Sequence, residues 1–489
     1  MILPFQNFRN KELKLKRVYI IFILKAHTAD EMQYFEEAML NFDLDTLKNV
    51  EISFYYNDKG LNKNYQQATS LYYLNRLEDA LYAQNQAILC NPDISHYYYK
   101  KSYLLHNMER YQESQNEINI AIQKNPNQIS YIKEKARFLY EIGQYQNSLI
   151  EYELCIQRDP EHHVSINGKG NCLYNMRRYQ EALYQYSLAS QKDPQNPTYY
   201  RNKTLPLEKL KRYGEALIEI DLAIEKYPQY LKQKPFYVDR TAHYYFEKGN
   251  ILMEMDQYEE AIIQYDKAIQ INPEYSNSFQ GKGYAFYKLN RYDDALLQFD
   301  QAISKNPENS EHHYEKGKFL MKINKFEDAL IHFNFAILQN PKNAEYYYEK
   351  ANTLRKMNRI DEAINQYDDA IQRNFEKSEY YQGKGKILAE NFRYDEALLQ
   401  YDYAINKNPE NSEFHYEKGK ILEKMNKYEA ALTHYECAIN QNPKNVEYHQ
   451  AKENAQNTMN NHNGVIIQSN SDNYKTQFQI LKSKDYMAK

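Results

Sequence analysis

Proline recurs along this chain at intervals of 34 residues, and that period constrains the fold more than any other feature of the sequence. Asn-Pro or Asp-Pro stands at Pro92, Pro126, Pro160 and Pro194, and Tyr-Pro at Pro228. After one interval of 45 the spacing resumes at Pro273, Pro307 and Pro341, passes Phe375 in place of proline, and continues at Pro409 and Pro443, which makes eleven repeats. At 489 residues the chain is longer than one hydrophobic core usually grows, so a one-dimensional stack of repeats is the natural solution.

Within each repeat, small and large residues fall in a fixed order. From Ala242 to Pro273, Tyr245, Gly249 and Leu252 step by four and three, and Tyr258, Ala261, Tyr265 and Ala268 by three, four and three. Each half therefore has an apolar face of helical period, and each repeat is read as two helices. Helices approach closely only where the side chain at the crossing is small. That assigns Gly170, Gly249, Gly283, Gly317, Gly385 and Gly419 to the crossing in the first helix, and alanines such as Ala261, Ala295 and Ala363 to that in the second. The terminal proline is read as the residue that stops the second helix. Only 13 Gly and 14 Pro agree with a mostly helical chain.

With this period and its Tyr/Gly/Leu, Tyr/Ala/Tyr/Ala, Pro signature, the chain resembles the tetratricopeptide repeat. The resemblance implies an all-α fold, a right-handed superhelical α-solenoid of about eleven helix-turn-helix repeats whose first helices line a concave groove for protein partners. The expected organisation is an N-terminal extension over 1–31, either disordered or upstream of a true start at Met32, then a degenerate helical cap over 32–60. Repeats one to five follow over 61–230, an insertion over 231–241, repeats six to eleven over 242–445, a capping helix over 446–459 and a flexible tail over 460–489. Pro206 within a first helix, with the insertion LKQKPFYVDRT after Tyr230, leaves two readings open for 197–241, a hinge or a rigid elongated hairpin.

Charge and cysteine usage narrow the function. Lys and Arg total 62 against 66 Asp and Glu, a net charge of −4, so no basic field draws in a phosphate backbone and nucleic acid is not an expected partner. Cys90, Cys155, Cys172 and Cys437 show neither paired nor Cys-x-x-Cys spacing, which argues against disulfides and zinc and fits a reducing, cytoplasmic compartment. The apolar run from Val18 to Leu24 is too short to span a bilayer, for which roughly 20 residues are needed, and is at the lower limit for a signal peptide.

By the same resemblance, the outward positions of the first helices are the candidate partner groove. They give Glu311 and Glu345, continued by Glu379 and Glu413; Tyr314, Tyr348 and Tyr416; Lys318, Lys386 and Lys420; and Asn250 with Asn352. Both charges and aromatic faces would suit an extended peptide or a helix. Glutamate at a helix start is also favoured by the helix dipole alone, by ~0.3–1 kcal/mol. Some family members grip a Glu-Glu-Val-Asp tail with Lys, Arg and Asn. Here Asn171 and Asn202 match, but Asn167, His243 and Glu247 stand at the cationic places, so that carboxylate clamp is not expected.

The sequence carries no phosphate loop, dinucleotide fingerprint, zinc-protease helix or nucleophile elbow, and its Gly-Lys pairs belong to the helix crossings. The adjacent pairs His162-His163 and His312-His313 do not share a helix face as metal ligands would. No catalytic residue, cofactor or metal is expected. The leading reading is a non-catalytic scaffold or adaptor in a larger intracellular assembly, of the kind found in ciliary transport particles, ubiquitin ligases and import receptors. A second is a substrate-selecting arm for a separate catalytic chain, as in the protein O-linked N-acetylglucosamine transferases, whose repeat region this resembles; a third is RNA binding by a helical repeat.

Overall fold

The computed structural model describes residues 63–73, 75–233 and 240–460, so the expected extension, the N-terminal cap and the tail beyond 460 lie outside the described residues, as does most of the insertion. Among the described residues every regular element is a helix. In chain order these are α1 Lys63–Tyr73, α2 Leu77–Cys90, α3 Ser95–Asn107, α4 Tyr111–Lys124, α5 Ile129–Glu141, α6 Tyr145–Arg158, α7 His163–Asn175, α8 Tyr179–Lys192 and α9 Pro197–Lys209. There follow α10 Tyr213–Gln233, α11 Thr241–Glu254, α12 Tyr258–Ile271, α13 Ser276–Lys288, α14 Tyr292–Lys305, α15 Ser310–Lys322, α16 Phe326–Gln339 and α17 Ala344–Lys356. The series closes with α18 Ile360–Arg373, α19 Ser378–Glu390, α20 Tyr394–Lys407, α21 Ser412–Lys424, α22 Tyr428–Gln441 and α23 over 446–460. Two compact units meet in sequence between Lys211 and Arg212, and within each the helices pack pairwise as an α-solenoid.

Each first helix ends in one left-handed residue, at positions 75, 109, 143, 177, 211, 256, 290, 324, 358, 392 and 426. Around position 109 the two bonds of a Schellman turn are present, Arg110 N–H to Leu105 O at 2.9 Å and Glu109 N–H to His106 O at 3.0 Å, and around 290 they recur from Arg291 to Phe286 and from Asn290 to Tyr287. Only Gly143 is free of side-chain strain there; the other ten are non-glycine, five of them the asparagines Asn75, Asn290, Asn324, Asn358 and Asn426 in hairpins one, seven to nine and eleven.

Asparagine or aspartate, rather than proline, sets the stop of the second helix. Asp159, Asn272 and Asn374 each accept a bond on the side chain from the backbone N–H two residues on, at 3.0, 3.1 and 3.2 Å, which turns the chain out of the helix. The two irregular repeats separate the contributions. Asn374 is followed by Phe375 and α18 still ends at Arg373, whereas Tyr227 precedes Pro228 and α10 runs on through the proline to Gln233. Tyrosine has no acceptor that reaches the N–H two residues along, so the expected stop at Pro228 does not occur.

The core is made where rings of second helices meet glycine on first helices, and Tyr265 meets glycine on two of them. Tyr265 of α12 is 1% exposed, and a methyl group added at Gly249 of α11 would lie 2.5 Å from its ring. One added at Gly281 of α13 would lie 2.7 Å from it on the other side. Gly168 against Tyr152, Gly170 against Tyr186, Gly317 against Phe333, Gly383 against Tyr367 and Gly419 against Tyr435 repeat the contact at 2.4–2.7 Å. The second-helix alanines, among them Ala261, Ala268, Ala295 and Ala363, are fully buried. Where α4 and α6 carry serine instead, Ser114 and Ser148 donate to the carbonyls of Ser102 and Ala136 at 2.7 and 2.6 Å, which satisfies the buried hydroxyl.

Exchanging Gly249 for Ala should lower stability by roughly 1–3 kcal/mol, because Tyr265 is held from both sides and cannot swing away. Gly283→Ala should cost far less, since its methyl would stand 3.2 Å from Phe299 and alanine gains ~1 kcal/mol of helix propensity. Urea unfolding of the two variants checks this; equal losses would contradict the packing account.

Candidate partner-binding face

All ten candidate residues lie on first helices of the second unit: Asn250 on α11, Glu311, Tyr314 and Lys318 on α15, Glu345, Tyr348 and Asn352 on α17, Lys386 on α19, and Tyr416 and Lys420 on α21. The glutamates occupy first turns. Asn309, Asn343 and Asn411 cap those helices by accepting the backbone N–H of Glu311, Glu345 and Glu413 at 3.0 Å, so both the helix dipole and the cap favour a carboxylate there.

Several candidates are engaged within the chain. Asn250 accepts the hydroxyl of Tyr265 at 2.8 Å, and Asn352 that of Tyr367 at 2.7 Å, so these amides complete the buried tyrosines. Tyr314 and Tyr416 are 8% and 9% exposed, covered by the next first helix through Tyr346 and Tyr448 at ring distances of 4.9 and 4.8 Å. The flat aromatic faces expected from the sequence are therefore largely closed at these two positions. Tyr348 is half-buried between Tyr367 and Tyr380. Glu345 is paired with Lys377 at 2.6 Å and accepts the hydroxyl of Tyr380 at 3.0 Å. Glu311 accepts that of Tyr346 at 3.3 Å while remaining exposed. Glu379 and Lys386 on α19 and Glu413 on α21 are exposed as well.

The recurrent lysine before the crossing residue is also engaged in most hairpins. Its amine reaches a carboxylate of the preceding second helix, as in Lys282 with Asp266 at 2.6 Å, Lys316 with Asp300 at 2.5 Å and Lys384 with Asp368 at 2.5 Å. In α3 and α5 the partner is instead on the following helix, Glu117 for Lys101 and Glu151 for Lys135. In the first unit Asn202 donates to Asn167 at 2.8 Å and Asn171 accepts Tyr186, so the two asparagines that match the tail clamp serve the fold.

Sequence reasoning passed over the carboxylates one turn further along. Glu315 bonds Lys318 at 3.2 Å through one oxygen, while its other oxygen is buried without a partner. Burial pushes its carboxyl above the usual range, against the pull of Lys318, and burial does the same to Glu349. Burial, and then Glu349, Glu345 and Glu311, raise the Tyr314 hydroxyl well above the ordinary tyrosine value.

Histidines form a second pattern that no short motif reveals. His313 and His332 face each other Nδ1 to Nδ1 at 3.1 Å, and His415 and His434 do so at the same distance. Nε2 of His313 lies 3.2 Å from the Pro307 carbonyl and must donate to it, so its Nδ1 accepts and His332 donates. His312, its sequence neighbour, turns instead to Gln280 and Ser276 at 2.6 and 2.8 Å. Burial first, then the neighbouring cations and imidazoles, bring His332 and His434 down to about 4; burial and His313 do the same for His312. Among the described residues no group of three or more His, Cys, Asp or Glu is placed to hold a metal ion.

A folded-state value near 4 against an unfolded value of 6.5 means that the unfolded chain takes up protons first as pH falls. The stability held by these neutral histidines is complete above 6.5 and lost between about 6.5 and 4. Urea midpoints should fall steadily over that window. His332→Gln with His434→Gln, the residue that Gln264, Gln298 and Gln400 supply at the same place, should flatten the decline; an unchanged slope would contradict the assignment.

Family models described as tetratricopeptide repeats match residues 249–289, then 281–344, 320–379 and 348–409, then 412–445. No curated protein matches the chain. Among solved structures, yeast Tom70 is similar at 16% identity with a TM-score of 0.46, over 83% of this chain and 97% of that one. The Cut9 and Hcn1 hetero-tetramer of the APC/C is similar at 11% identity and a TM-score of 0.37, over 84% of this chain and 99% of that one. YrrB, described as a TPR protein with an unusual peptide-binding site, is similar at 22% identity and a TM-score of 0.33, over 39% and 97%.

Proposed function

Because the chain belongs to the tetratricopeptide repeat proteins, we propose that it is a non-catalytic scaffold or adaptor that holds protein partners along the groove lined by its first helices. Repeats of this family support a protein-interaction scaffold as the general role. The observation that carries the finer reading is the row left open on those helices. Rings and glycines are consumed in packing and most of the recurrent lysines are ion-paired, yet Glu311, Glu379, Lys386 and Glu413 stay exposed on hairpins eight, ten and eleven.

Such a row contributes side chains of both charges from rigid elements, which suits an extended peptide or a helix of mixed charge. The four cysteines are free, in keeping with a reducing cytoplasmic compartment, and among the described residues no helix is long and apolar enough to cross a membrane.

Affinity capture from the native cell extract tests this reading. The full chain should recover a stoichiometric partner, and reversing the charge of Glu311, Glu379, Lys386 and Glu413 together should reduce recovery at least tenfold with helicity unchanged. Equal recovery by both would place the interface elsewhere and overturn the reading.

A further inference from the structure

Hairpins six to eight return as hairpins nine to eleven, 102 residues later. Gln280-Gly281-Lys282-Gly283 recurs as Gln382-Gly383-Lys384-Gly385, and His313-Tyr314-Glu315-Lys316-Gly317-Lys318 as His415-Tyr416-Glu417-Lys418-Gly419-Lys420. The geometry returns with the letters. Lys318 Nζ lies 3.2 Å from Glu315 and 4.9 Å from the centre of the Tyr314 ring; Lys420 Nζ lies 2.9 Å from Glu417 and 5.0 Å from that of Tyr416. Tyr314 stands 6.1 Å from Phe333 and Tyr416 5.9 Å from Tyr435, and each has its facing histidine pair at 3.1 Å. No other hairpin combines tyrosine, glutamate and lysine at these three places: α17 has Asn352 for the lysine, and α19 has Gln382 and Gly383 for the first two.

A carboxylate beside a tyrosine face is a receptor for an ammonium or guanidinium group, and here it is seen holding one twice. Carboxylate is in excess at both places. Glu311 is exposed one turn before Glu315, the second oxygen of Glu315 is buried and unpartnered, the residue being 9% exposed, and the next first helix, α17, carries Glu345 and Glu349. Glu413 is likewise exposed before Glu417, and Glu447 accepts the Tyr416 hydroxyl at 2.7 Å.

Resting on the groove reading above, we infer that hairpins eight and eleven are two equivalent seats for a cationic side chain, each filled in the free protein by its own lysine. The partner is one chain that presents the same short arginine- or lysine-bearing motif twice. Neighbouring packed helices lie roughly 10 Å apart, so three hairpin steps span about 30 Å. An extended segment covers that in about nine residues.

The probes are fluorescein-labelled Gly/Ser peptides with one Arg-Arg pair, or two pairs nine residues apart, titrated into the full chain by anisotropy. The single-pair peptide should bind two per chain, and the two-pair peptide one per chain at least tenfold more tightly. Glu315→Gln or Glu417→Gln alone should return the two-pair peptide to single-pair affinity, with circular dichroism unchanged. Lys318→Ala and Lys420→Ala should each empty a seat and raise single-pair affinity several-fold, where a merely structural lysine would give no gain. A stoichiometry of one, no advantage for two pairs, or lysine variants that bind no better would overturn the inference. If neither peptide binds a chain whose partner capture still depends on Glu311 and Lys386, this inference falls and the scaffold reading stands; capture indifferent to those residues defeats that reading itself.

Discussion

Everything in this structure depends on the close approach of a second-helix ring to first-helix glycine. Tyr265 touches Gly249 of its own hairpin and Gly281 of the next, so one side chain fixes both the angle within a hairpin and the step to its neighbour. At Tyr152, Tyr186, Phe333 and Tyr435 a ring meets one glycine in the same way, and the stacked hairpins form a core one hairpin wide, in which stability accumulates from nearest neighbours. It also decides what is left over. Once rings and small residues are spent on packing, the first helices of hairpins eight, ten and eleven still present first-turn glutamates and Lys386 outward.

The polar interactions then sort by distance along the chain. Lysine-to-aspartate pairs such as Lys282 with Asp266 tie consecutive helices, and bonds such as Tyr380 to Glu345 tie consecutive first helices. Exposed ion pairs of this kind add little stability singly, typically below ~1 kcal/mol. Their effect is on register, because each links a fixed position in one hairpin to a fixed position in the next. The same regularity allows hairpins eight and eleven to carry matching constellations three steps apart.

The period of 34, the two helices per repeat and the crossing glycines were legible in the sequence because each is a steric demand made afresh in every copy. The partners of the polar side chains were not. Asn352 reads as an open groove residue until Tyr367, fifteen positions on, is seen to donate to it, and Tyr314 reads as an open ring until Tyr346 covers it. Each histidine of the pair His313 and His332 is unremarkable alone, since nineteen residues separate them. Proline reads as the stop because it is conspicuous, but Phe375 and Pro228 together show that the preceding asparagine or aspartate turns the chain.

The central claim is that a protein partner lies along the first helices of the second unit. Carbodiimide footprinting of carboxylates, on the full chain alone and with its captured partner, addresses it most directly. The account predicts that labelling of Glu311, Glu379 and Glu413 falls on binding while Asp293 and Asp361, exposed on second helices, label as before. Protection of Asp293 and Asp361 with unchanged labelling of the three glutamates would contradict it.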